Sequence, residues 1–140
     1  MKDKEFYILL TRKLGIEVIK LTTIFPFTLQ SKIIAKQIIK SATSVGANYR
    51  SACRARSKAD FIAKLGIVEK ETDETLHWLD VIIDANILKF EQIAPIRQLA
   101  ERILAFIVKS LKTAKNNPNK RESSNSAYGI LHSASDIKKT

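Results

Sequence analysis

Glu71 and Glu74 stand three residues apart in EKETDETLHWL, so on a helix they lie one turn apart. Two carboxylates so placed could divide general acid and general base work. That chemistry needs a pocket and a substrate, and the flanking sequence offers neither. Glu74 and His77 match the Glu-x-x-His spacing of a di-iron bundle, but such a centre needs a second pair on another helix. The sequence has none. One cysteine and two histidines cannot close a zinc site without carboxylates. Cys53 falls on an apolar helix side and reads as a small packing residue rather than a nucleophile. No GxGxxG or GxxxxGK[ST] phosphate loop occurs. The expectation is a non-enzyme: no catalytic residue, no metal, no cofactor.

Charge is the stronger signal. The chain of 140 residues has a formal net charge of +10. It divides into +7 over residues 1–54, −3 over residues 55–93 and +6 over residues 94–140. At 100° per residue, Lys32, Lys36, Lys40, Arg50 and Arg54 share an arc of about 80° on one helix. Cations at this spacing can follow a phosphate backbone. No zinc finger, helix-turn-helix turn or aromatic RNP pattern accompanies them, so contact is expected to be with the backbone and weakly sequence-specific. The competing reading is a solvated face, or docking onto the acidic stripe of a neighbouring subunit.

These residues need long helices to position them. Pro26, Pro95 and Pro118 fall where periodicity breaks, and glycine is scarce. The spacing predicts helix 1 over residues 4–22, capped by Asp3, with Phe6, Leu10, Leu14, Val18 and Leu21 inward. Helix 2 is expected after Thr28, running to about residue 55, with Ile34, Ile38, Ala42, Val45, Tyr49, Ala52 and Cys53 inward. Helix 3 is expected from Ser57, an N-cap, to about residue 88. Its core stripe is Phe61, Leu65, Val68, Thr72, Leu76, Leu79 and Ile83. Glu69, Asp73, Asp80 and Asp84 make an acidic stripe beside it. A third face, holding Ile67, Glu71, Glu74, Trp78, Ile82 and Ala85, is too apolar for solvent and too charged for core. Asn48, Glu71 and Glu74 are therefore expected in a structural polar network between helices or subunits, because an unpaired half-buried charge is costly.

Helix 4 is expected from Pro95. Its apolar arc is wider than one buried face requires. That surplus points either to wider burial within the bundle or to subunit packing, and Trp78, Leu104, Ile107 and Leu111 are the expected oligomer interface. Residues 114–140 read as a polar, disordered tail with a small apolar island at Tyr128, Ile130 and Leu131. The expected fold is all-α, an antiparallel up-down-up-down four-helix bundle over residues 1–113. A single cysteine excludes an internal disulfide, and the N-terminal apolar run is too short for a signal core or membrane span. A cytoplasmic protein with no membrane partner is expected.

SVGANYRSACRARSKADFIAKLGIVEKETDETLHWL, residues 44–79, resembles the bacterial four-helix-bundle family named after the 23S ribosomal RNA intervening-sequence proteins. The likeness lies in the small-residue run ending at Asn48, the Phe61 entry to helix 3, and Glu71, Glu74 and Leu79 in order. It extends over about residues 4–112. The resemblance implies an antiparallel bundle, a homo-oligomer that is a pentamer, and an association with RNA. A related bundle is the basic accessory subunit of diversity-generating reverse transcriptases, which adds a structural or adaptor role toward a protein partner as the alternative. The sequence departs from the family at NYRSA, which stands in place of Asn-Ile-Ala-Glu-Gly. Any family site resting on that Glu and Gly is thereby in question, while Asn48 and Glu74 carry over with structural roles.

Overall fold

A computed structural model of the chain describes residues 2–117. Its elements are α1 (Lys2–Thr22), α2 (Leu29–Ala52), α3 (Lys58–Asp84) and α4 (Phe90–Lys115). Short links make successive helices antiparallel. Each packs on the next, and α4 returns to α1, which closes a four-helix bundle. No helix among the described residues is long and apolar enough to cross a membrane.

The inward stripe of α1 is Tyr7, Thr11, Leu14, Val18 and Leu21, a repeat alternating four and three. This corrects the upper half of the expected stripe. Phe6 is 37% exposed and Leu10 only half buried. Thr11 made the true stripe look polar. Its hydroxyl donates to the Tyr7 carbonyl at 2.7 Å, so the residue is buried without an orphaned donor. Asp3 lies inside the first turn, where its charge suits the helix dipole, and not at the cap.

The α1–α2 and α2–α3 links stop the chain as expected. Thr28 Oγ1 accepts from the Ser31 N–H at 3.1 Å, and Ser57 Oγ accepts from the Asp60 N–H at 3.0 Å. Helix α2 ends at Ala52, short of residue 55, so Arg54 sits in the turn beyond it. Helix α3 ends at Asp84, short of residue 88. Asn86 takes a φ of 59°, the Ile87 N–H donates to the Ile82 carbonyl, and the Asn86 N–H to the Ile83 carbonyl. This is a Schellman stop with asparagine in the left-handed position.

Helix α4 starts five residues earlier than Pro95 suggested. Gln92 Oε1 accepts the Lys89 N–H at 2.9 Å and secures the first turn. Pro95 then falls in the second turn and leaves the Glu91 carbonyl without its helical donor. The buried Ile93 and Ile96 on either side hold the helix together through packing. At its far end α4 includes the buried Ala114 and continues to Lys115, so the first two residues of the expected tail are helical. The rest of the expected tail, with Tyr128, Ile130 and Leu131, lies outside the described residues.

The core is sealed between α1 and α4 by Tyr7 and Phe106, whose rings stack at 3.4 Å between centroids, 5° from parallel. Tyr49 of α2 meets Phe106 edge-on at 6.1 Å. Between α2 and α3, the buried Thr75 hydroxyl donates to the Ser41 hydroxyl at 2.9 Å.

Candidate nucleic-acid interface

Between Glu17 and Asp60 the chain contains no carboxylate. Helix α2 lies wholly inside this stretch, so it carries basic side chains and no acidic ones. Lys32, Lys36, Lys40 and Arg50 project from it and are exposed, as is Arg54 in the following turn. Among the described residues, none of the five takes part in an ion pair. From Lys32 to Arg50 the helix rises about 27 Å.

The ladder is not continuous on α2. Thr43 and Ala47 occupy the same outer face between Lys40 and Arg50, and both are exposed. Sequence reasoning missed what fills this gap. At Gly46 the α1 backbone comes so close that an added Cβ would lie 3.0 Å from the Arg12 Cα; at Gly15 it would lie 3.2 Å from the Thr43 Cα. The two glycines bring α1 against α2, and the exposed Arg12 lines the same shallow groove as Thr43, Ala47 and Arg50. Arg12 therefore adds a cation from α1 beside the interval. The signal available in the sequence was Gly46 itself, which marks close helix approach but not the residue approached.

The other end of the ladder meets the α1–α2 link. Lys32 lines a hollow of about 600 Å³ together with Thr23, Phe25, Phe27, Thr28 and Ser31. Phe27 is fully exposed, the exposed Leu29 lines the same hollow, and Ile24 and Ile33 are exposed as well.

The expected polar network is not assembled within one chain. Asn48 Nδ2 donates to the Ser44 carbonyl of its own helix at 2.8 Å. Glu74 Oε1 accepts from Trp78 Nε1 one turn on, at 3.5 Å. Among the described residues no hydrogen bond joins Asn48 to Glu71 or Glu74, although all three are half buried. The polar link that does join α2 and α3 is Ser41–Thr75.

The four residues expected at an oligomer interface separate in the same way. Ile107 is 0% exposed and Leu111 is buried, both in the chain's own core. Trp78 and Leu104 are half buried and reach the surface. Leu104 continues into the exposed Val108, which forms a shallow outer strip with Ala105. Of the acidic stripe, Asp80 pairs with Arg97 of α4, which also holds Glu101 at 3.2 Å.

No cluster of three or more metal-ligating side chains occurs among the described residues. Cys53 is buried beside Tyr49, and burial raises both groups above their ordinary values; for Cys53 the hydrogen bond with Tyr49 offsets part of the rise. A thiol raised in this way is a poor nucleophile.

The family model for the 23S rRNA-intervening sequence protein matches residues 8–109, from the first turns of α1 to near the end of α4. The chain belongs to this family. A solved structure of a family relative agrees with it: a protein of unknown function from the S23 ribosomal protein family of Bacteroides thetaiotaomicron VPI-5482. It is 32% identical, and the match covers 76% of this chain and 99% of that one with a TM-score of 0.69. No curated protein matches the chain. The matched residues include Gly46, Ser57 and the whole α2 ladder.

Proposed function

We propose that this intervening-sequence protein is a non-enzymatic, cytoplasmic, oligomeric nucleic-acid-binding bundle, with RNA as its favoured ligand. The observation behind this reading is the acid-free α2, whose Lys32, Lys36, Lys40 and Arg50 are exposed along one face and, among the described residues, in no ion pair. Arg54 extends that face past the helix end, and Arg12 joins it from α1. The family's name supports RNA over DNA. The ligand is held through its phosphates, which release counterions, so affinity falls steeply with salt. The bundle assembles with further copies of itself, with five as the expected number, through the surface marked by Trp78 and Leu104. Asn48, Glu71 and Glu74 take a structural role at the half-buried flank.

The test replaces Lys32, Lys36, Lys40, Arg50 and Arg54 together by Gln. RNA binding, followed by fluorescence anisotropy over a salt series, is expected to disappear while the thermal melt stays in place. Binding that survives in the variant would remove the stripe from consideration. A second reading, an adaptor for a protein such as a reverse transcriptase, draws on the strip of α4 formed by the half-buried Leu104 and the exposed Val108. Under that reading the five-fold Gln variant keeps its partner and Leu104→Glu loses it.

A further inference from the structure

The α1–α2 link, TIFPFT, is built as a mount for one aromatic ring. Phe25 is buried and anchors the link in the core. Pro26 fixes its own φ and keeps Phe25 out of helical geometry. The Thr28 N–H donates to the Pro26 carbonyl at 3.0 Å, and the Thr28 side chain caps α2. Phe27 stands between these fixed points with a relative exposure of 105%. A fully solvated phenylalanine on a flexible loop would be unremarkable. One held out by a buried neighbour, a proline and a helix cap is pre-organised to receive a flat partner.

Lys32 determines which partner. It lines the hollow beside Phe27 and is also the first cation of the α2 ladder, so the ring and the phosphate-binding face are continuous. Beside the apolar Phe25, Pro26, Leu29 and Ala35, the hollow adds the hydroxyl residues Thr22, Thr23, Thr28 and Ser31, and the first turn of α2 holds no acid. An apolar protein surface would use the ring but not the lysines. A duplex would use the lysines but keep its base faces stacked inside. An unpaired nucleotide strand uses both, one base stacking on the ring while its phosphates follow Lys32, Lys36 and Lys40. Resting on the phosphate-binding reading above, we infer that the bundle binds single-stranded nucleic acid and that Phe27 is its base-stacking platform.

The experiment compares the native chain, Phe27→Ala, Phe27→Trp and Lys32→Gln on a mixed-sequence 12-nucleotide RNA, its DNA equivalent and the corresponding RNA duplex. The RNA and DNA strands separate the two sources of unpaired bases. Phe27→Ala is expected to lose affinity for unpaired strands by about 5- to 150-fold, the range for one stacked base, with no change in salt slope. Phe27→Trp should keep the affinity. Lys32→Gln should instead lower the salt slope by about 0.7. Phe27 touches no core, so a fold defect would not explain its effect. Unchanged binding in Phe27→Ala, or a duplex bound as well as the strands, overturns the inference while leaving the ladder in place. A native chain that binds none of the three probes overturns the ladder as well.

Discussion

At residue 46 a methyl group would lie 3.0 Å from the Arg12 Cα and 3.1 Å from its N, both backbone atoms that cannot swing aside. Gly66 has the opposite setting, with nothing within 4 Å of an added Cβ. Gly46→Ala is therefore expected to cost about 1–3 kcal/mol through overpacking. Gly66→Ala should gain about 0.5–1 kcal/mol, because helical glycine is the more entropic residue. Urea denaturation of the two variants separates them, and equal effects would contradict the close approach of α1. The Cys53–Tyr49 pair makes a second residue-scale prediction. Burial raises both groups above their ordinary values of 9.0 and 10.0. Below those values folded and unfolded chains hold the same protons. Above them the unfolded chain releases protons that the folded chain keeps, so stability falls as pH rises through 9.0 and then 10.0. The urea midpoint should drop across that window, and less so in Tyr49→Phe. A midpoint flat through the alkaline range would refute it.

The elements depend on their ends as much as on their stripes. Thr28 and Ser57 were legible as caps because a hydroxyl before an apolar run has one obvious use. Asn86 was not, since asparagine is common in any loop and only its φ of 59° reveals the left-handed stop. Asn86→Ala should cost about 1–2 kcal/mol, the penalty for a Cβ in that region, whereas Asn86→Gly should be neutral or slightly stabilising. Thermal melts that rank the two variants the other way would exclude the Schellman stop. Pro95 misled for a related reason. Proline is welcome in a first turn, and the sequence does not announce that packing of Ile93 and Ile96 extends α4 ahead of it.

On the scale of the whole molecule, self-association and nucleic-acid binding can be read in one measurement. Light scattering of the purified protein, with and without nuclease, is expected to give a multiple of 15.8 kDa, five copies in the proposed assembly. Nuclease should remove bound nucleic acid without dissociating it. A monomer free of nucleic acid would contradict both parts of the proposed function. The sequence by itself determined four amphipathic helices, their antiparallel order and a cationic outer face on α2, because periodicity and charge are local properties of the chain. It also marked Glu71, Glu74 and Asn48 as neither core nor solvent. Tertiary structure alone decided which apolar residues the bundle consumes: Ile107 and Leu111 went inward, while Trp78 and Leu104 stayed at the surface. It alone placed Arg12 beside the ladder and left Phe27 outside. Those outcomes depend on how closely helices approach and how they rotate against one another, and no single helix encodes its neighbour's position.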